Sequence, residues 1–260
     1  MTNPDYTNLW TQNFNLEDVQ RYDSKFHSRW EKNIKHREQI EFIRKYLKNW
    51  MVWCDVPIGS GRLMRELQSE RMLGYDISDS FLEYNRRLGI ECSKGDLFEF
   101  GMKYDGEFDL ITSLHSIFAF PDYQLILGGF VKGLKPGGML IVDITNKLHS
   151  VQTNDIKNLI FEDAAVYPDG MTKDEIHQFF DSIGCEVVEI APHDFWDNYF
   201  FFKWRYLQGN RLTKWIKKHI WNVVNFLYFN LSMVNFFRRL EAGRPENRFT
   251  KYLVAVVKRA

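Results

Sequence analysis

Between residues 51 and 192 the chain alternates short apolar runs with amphipathic segments. The runs are MVWCDV (51–56), RMLGYDI (71–77), IECSKG (90–95), FDLITSL (108–114), GMLIVDI (138–144) and CEVVEIA (185–191). Each has the length of a strand, and most lack the strict apolar and polar alternation of a sheet with one wet face, so they read as strands covered on both sides. Segments 61–69, 80–88 and 123–134 carry apolar residues at helical spacing. Ser78 to Ser80 offer a cap for one helix, and Gly89, Gly133 and Gly184 offer stops. Strand and helix in alternation predict a parallel sheet wrapped on both faces. The run RFTKYLVAVVKR (248–259) supplies a seventh strand after an interruption.

The flanking patterns differ. Across residues 16–48 the apolar positions Phe26, Trp30, Ile34, Ile40, Ile43 and Leu47 recur on a helical period within a highly charged stretch, which predicts one or two amphipathic helices. Residues 197–247 are rich in aromatic and basic side chains; Arg211, Lys214, Lys217 and Lys218 share one helical face, opposite Leu212, Trp215, Ile216, Ile220, Val223 and Leu227. The expected organisation is therefore a helical cap (1–50), a core (51–196), a helical insert (197–247) and the last strand of the core (248–260). The fold class is α/β: a doubly wound, Rossmann-like sheet of seven mostly parallel strands, with an N-terminal helical cap and a helical insert before the final strand.

Charge sharpens the picture of the insert. The chain has 34 basic and 34 acidic residues, yet residues 203–260 contain 13 Lys or Arg against Glu241 and Glu246, a balance of +11 that leaves −11 on residues 1–202. A basic segment on an acidic body suits an anionic partner or docking on the body itself. Three readings stay open for it. It is a lid or homodimer surface over a ligand pocket, or a membrane-surface contact through residues 211–240 that meets a lipid-linked ligand, or a nucleic-acid surface on which aromatics stack. The last is disfavoured by the acidic body, and asparagines between Asn222 and Asn235 argue against a spanning helix. The beginning of the chain has neither a basic start nor an apolar stretch, and Cys54, Cys92 and Cys185 fit no disulfide or zinc spacing. The expectation is a cytoplasmic protein, peripheral at the inner face of the membrane if the insert binds lipid, with its thiols reduced and no metal site.

Candidate chemistry concentrates where the first strand meets its helix, the place at which doubly wound sheets bind ligands. There the chain reads DVPIGSG, with Asp55 at the strand end and Gly59 and Gly61 in the loop; the helix start near Ser60 offers free N–H groups. The second strand ends GYDIS, placing Asp76 and Ile77 at the next loop. The third is followed by KGDLFEF, with Asp96 and Leu97, and the fourth ends TSLH. The sequence LKPGG then precedes the fifth strand as a turn.

In this order the motifs resemble those of class I S-adenosylmethionine-dependent methyltransferases, over residues 40–192 and 248–259. The resemblance implies S-adenosylmethionine as cofactor. Asp55, Gly59 and Gly61 cradle its methionine part, Asp76 and Ile77 meet the ribose, Asp96 and Leu97 meet the adenine, and Ser113 and Leu114 form the wall beneath the methyl group. Pro57 stands where the commonest form of the loop has glycine; proline suits a loop residue whose φ is near −65° and whose N–H is not needed, so it stiffens the cradle. A nicotinamide-binding domain, the chief rival, wants a third glycine where this chain has Met64.

The implied reaction is methylation of an oxygen on a small molecule or a lipid-linked glycan. RNA methylation, or a silent cofactor-binding scaffold, stands as the alternative. A hydroxyl acceptor calls for a base. His115 after the fourth strand leads, with His149 after the fifth and His193 after the sixth as alternatives; family members often carry histidine slightly later, where this chain has Phe118 and Ala119. Tyr22, Phe26 and Trp30 are candidates for an aromatic face against the cofactor's cation.

Overall fold

A computed structural model of the chain describes residues 15–21, 23, 34–117, 120, 122–150, 170–193, 215–216, 219–220, 223, 244–246, 249 and 251–260. Tyr22, Phe26, Trp30, Phe118, Ala119 and nearly all of the 197–247 insert lie outside these residues.

Seven strands form one sheet: β1 (Val52–Asp55), β2 (Arg71–Asp76), β3 (Glu91–Lys94), β4 (Phe108–Ser113), β5 (Leu134–Thr145), β6 (Cys185–His193) and β7 (Lys251–Lys258). Their spatial order is β3-β2-β1-β4-β5-β7-β6. The chain runs outward from β1 to β3, then returns to lay β4 on the other flank of β1, so the switch point lies between β1 and β4. All pairings are parallel except those of β7, which runs antiparallel to both β5 and β6. The consecutive β7 residues from Tyr252 to Val256 are all buried, as an interior strand requires.

The helices are α1 (Ile34–Tyr46), α2 (Arg62–Glu66), α3 (Asp79–Arg87), α4 (Phe100–Lys103), α5 (Tyr123–Gly133), α6 (Lys147–Ser150) and α7 (Lys173–Ser182). One core joins Ile40 and Ile43 of α1, Leu63 of α2 and Leu82 of α3 to Trp53, Leu110 and Ile141 of the sheet. The other joins Phe100, Ile126, Phe130, Ile176 and Phe180 to the opposite face. Side-chain burial on both faces is what removes polar alternation from the central strands.

Several boundaries depart from the sequence pattern. The segment LKPGG is a bulge within β5 instead of a turn before it: Phe108 pairs with Leu134 and Leu110 with Met139, and Gly137 takes φ +75 to absorb the extra residues. Helix α2 begins after Gly61 and ends at Glu66, short of Ser69, because Leu67 is extended and Ser69 turns its hydroxyl to the Met51 carbonyl. Ser78 does occupy the cap position of α3, but its hydroxyl makes no capping bond. A helix that the pattern marked only by its stop at Gly184, α7, is held at its start by a reciprocal pair: Thr172 Oγ1 accepts from Glu175 N–H and Glu175 accepts from Thr172 N–H. No helix among the described residues is long and apolar enough to cross a membrane.

Candidate functional site

The glycine loop is built from its neighbours' hydrogen bonds. On either side of Pro57, Val56 N–H donates to the Thr112 carbonyl (2.8 Å) and Ile58 N–H to the Tyr75 carbonyl (2.9 Å), so the loop is tied to β4 and β2 at once. Pro57 follows a cis peptide bond. Gly59 has φ +52 and Gly61 φ +70, conformations that a side chain disfavours. A Cβ on Gly61 would stand 2.0 Å from Asn85 Oδ1, whereas one on Gly59 would meet nothing within 4 Å. The space a side chain at Gly61 would need is filled by Asn85, whereas among the described residues nothing fills that at Gly59. Beneath the loop, Gly74 of β2 makes room for Ile58, whose Cδ1 would lie 2.2 Å from an added Cβ.

Two carboxylates line this cradle. Asp55 is buried and accepts from Thr112 Oγ1 (2.6 Å), which in turn accepts from the Trp53 indole N–H (2.9 Å). Burial pushes Asp55 up to about 7, against the pull of the Thr112 hydroxyl and of Arg62, while Asp76 adds to the rise. Asp76 is also buried; its Oδ2 accepts from Gly59 N–H and its Oδ1 from Ser78 N–H, both at 3.0 Å. Burial raises Asp76 too, opposed by these amides and that of Ile77. Two desolvated carboxylates beside an open glycine face fit a ligand that brings positive charge and hydroxyl donors. At the start of α2, Gly61 N–H donates to the Ile58 carbonyl, and the first intrahelical bond runs from Arg65 N–H to the Gly61 carbonyl.

Farther along the edge, Asp96 caps the 3-10 turn Leu97–Glu99 by accepting from Phe98 N–H (2.9 Å), and Leu97 packs into the core. Ser113 Oγ meets Ser116 Oγ at 2.9 Å, and Leu114 is buried.

Beyond β4 a second polar cluster joins candidate histidines to Gln39, Glu38, Asp143 and Lys251, which the sequence did not single out. His115 sits at φ +62; its N–H donates to Asp143 Oδ1 (2.9 Å) and its Nδ1 lies 3.6 Å from Asp143 Oδ2. Lys251, at the start of β7, donates to the same Oδ2 (2.6 Å). From above, α1 contributes Gln39, whose Nε2 lies 2.8 Å from His115 Nε2 and 3.1 Å from His193 Nε2; Glu38 Oε2 takes His193 Nδ1 at 2.7 Å. Two of the three candidate histidines therefore meet. His149 lies in α6, where its backbone N–H donates to the Asn146 carbonyl (3.0 Å). Because β7 is antiparallel, its first residue reaches the same edge as the last residues of β4, β5 and β6, which is how Lys251 arrives there.

The N-terminal elements are fastened to the loop region by buried contacts. His36 of α1 takes Arg62 Nη1 (2.6 Å) on Nδ1 and Glu66 Oε1 (2.5 Å) on Nε2. Asp23 accepts twice from Arg65, at 3.0 and 2.6 Å, and once from the Tyr84 hydroxyl. A cavity of about 420 Å³ lies elsewhere, between α5 and α7, lined by Tyr123, Lys147, Glu175 and Phe179 among others. It belongs to neither polar cluster. Among the described residues no group of three or more His, Cys, Asp or Glu side chains could hold a metal ion. Cys54 and Cys185 are buried and Cys92 half-buried, all as thiols.

Residues 54–142 match a family model described as a methyltransferase domain. No curated protein sequence matches the chain. Among solved structures, the protein that forms a complex with the Haloferax volcanii Trm112 methyltransferase activator superposes with a TM-score of 0.61 at 14% identity, covering 94% of this chain and 97% of that one. Magnesium protoporphyrin IX methyltransferase of Synechocystis, with bound SAH, gives 0.53 at 11% identity over 92% and 97%. A SAM-dependent methyltransferase of Thermotoga maritima gives 0.51 at 21% identity over 69% and 84%.

Proposed function

We propose that this chain, of which residues 54–142 match a methyltransferase domain, is a class I S-adenosylmethionine-dependent methyltransferase that moves the cofactor's methyl group to an oxygen of a small molecule or glycan. One juxtaposition carries the reading. The glycine loop with Asp55 and Asp76, and the pair His115 and Asp143, stand at the same carboxyl edge of the sheet on the two sides of β4.

Bound at the cradle, the cofactor supplies a methyl group activated for in-line displacement. Asp55, Gly59 and Gly61 hold its methionine end, with Pro57 stiffening the turn. Asp76 and the Ile77 backbone would hold the sugar, Asp96 and Leu97 the adenine edge, and Ser113 and Leu114 would form the wall beneath the methyl group. Alignment of this kind lowers a barrier by up to ~7–11 kcal/mol. His115 would take the proton of the acceptor hydroxyl, a role worth typically ~10²–10⁴-fold. It suits that role better than His193, because 23% of its side chain is exposed against 0% for His193. Asp143, facing Nδ1, stabilises the imidazolium that results. The basic character of residues 211–240 supports an anionic acceptor such as a lipid-linked glycan, with RNA as the alternative polyanion.

Calorimetric titration of S-adenosylmethionine and S-adenosylhomocysteine into the wild type and Asp76→Ala tests the cofactor half. Micromolar binding lost on substitution is expected. A folded wild type that binds neither would overturn the reading. Methyl transfer to a panel of hydroxylated small molecules, glycolipids and RNA then distinguishes the acceptor classes, with His115→Ala expected to lower turnover more than cofactor affinity.

A further inference from the structure

Gln39 is buried completely, and its one amide nitrogen is placed between two imidazoles. The proton inventory around it is constrained from every side. Glu38 of α1 faces His193 Nδ1, so that nitrogen carries hydrogen. Asp143 of β5, held by Lys251 of β7, faces His115 Nδ1 across 3.6 Å and favours hydrogen there too. A neutral imidazole has one N–H, so each Nε2 presents a lone pair. Two lone pairs converging on one point call for a group with two hydrogens, which is what the Gln39 NH₂ provides. Among the described residues Gln39 Oε1 is buried with no hydrogen-bond partner.

We infer that Gln39 is a positioning residue: its NH₂ donates one hydrogen to each ring and fixes both His115 and His193 as Nδ1–H tautomers, so that each Nε2 keeps its lone pair. The inference rests on the role proposed above for His115 only in its consequence: the Nε2 lone pair of His115 is the one that takes an acceptor's proton, with the amide yielding its hydrogen bond to the hydroxyl.

The test is spectroscopic and needs no acceptor. Long-range ¹H–¹⁵N imidazole spectra of the full-length ¹⁵N-labelled protein are followed through a pH titration, with His115→Gln and His193→Gln variants used to assign the two rings. In the wild type both neutral rings are expected as Nδ1–H. Gln39→Met, which has no hydrogens to donate, is expected to let the Nε2–H form of His115 appear, since its Nδ1 stands 3.6 Å from Asp143. Gln39→Glu preserves size but offers only acceptor oxygens, so both rings should show Nε2–H; this variant decides the matter if the methionine protein does not fold. An Nε2–H neutral tautomer in the wild type, or spectra indifferent to both substitutions, would overturn the inference. Calorimetry with S-adenosylmethionine on the same samples separates this outcome from failure of the methyltransferase reading, which tautomers do not report.

Discussion

Substituting Gly61→Ala brings three effects together at the glycine loop. At φ +70 an L side chain is strained by roughly 1–2 kcal/mol. The new Cβ would stand 2.0 Å from Asn85 Oδ1, so Asn85 must leave. It is fully buried, and its Nδ2 donates to the Gly59 carbonyl (2.7 Å) and the Phe81 carbonyl (2.8 Å). Losing two such bonds costs about 2 kcal/mol at about 1 kcal/mol each. Against this, alanine stiffens the unfolded chain by roughly 0.4–1 kcal/mol. The expected net loss is about 2–3 kcal/mol, summed from these same terms. In an Asn85→Ala background only strain and chain entropy remain, so the same substitution should cost about 1 kcal/mol. Urea unfolding of the wild type, both single variants and the double variant measures the difference. A cost for Gly61→Ala that is the same in both backgrounds, within the roughly 0.3–0.5 kcal/mol of ordinary additivity, would refute the argument, because it would show that Asn85 does not occupy the space.

Other consequences are equally direct. Asp55 in the folded protein titrates at about 7, above its ordinary 3.8, so the folded state holds a proton that the unfolded chain has released between those values. Its contribution to stability falls as pH rises through that window; Asp55→Asn should therefore raise the melting temperature of the ligand-free protein at pH 8 more than at pH 4, as read by calorimetry. Because a cationic ligand favours the ionised carboxylate, S-adenosylmethionine should bind the wild type more tightly at pH 8 than at pH 6, and Asp55→Asn should flatten that dependence in the same titration. Asp143→Asn takes from the half-buried Lys251 ammonium a carboxylate 2.6 Å away, an expected loss of roughly 1.5–3 kcal/mol in denaturant unfolding, part of which Lys251→Met should restore. Thr172→Ala, removing the cap of α7, should cost ~1 kcal/mol by the same measurement without altering cofactor affinity.

Much of the sheet was legible because its information is local. Buried strands such as β1 and β4 announce themselves as apolar runs, and Gly59, Gly61, Gly89 and Gly184 stand where the backbone takes positive φ, which neighbouring residues make readable. Where local pattern failed, a neighbouring strand decided. LKPGG looks like a turn by composition, yet Leu134 pairs with Phe108 before the bulge and the strand continues through it. Asn85 gave no signal, since an asparagine inside a helix is ordinary until Gly61 is laid against it.

The sequence by itself determined the order of strands and helices along the chain, the placement of Asp55 and Asp76 at the ends of the first two strands, and His115 after the fourth, since each follows from residues within one or two turns of chain. It could not determine that Gln39 reaches His193 across 154 positions, or that Lys251 meets Asp143 across 108. Those contacts exist because β7 inserts antiparallel between β5 and β6 and because α1 lies along β6, tied there by Lys45 and Tyr46 to Glu189. Hydrophobic burial chooses that arrangement over the whole sheet at once, and no short stretch of sequence contains it.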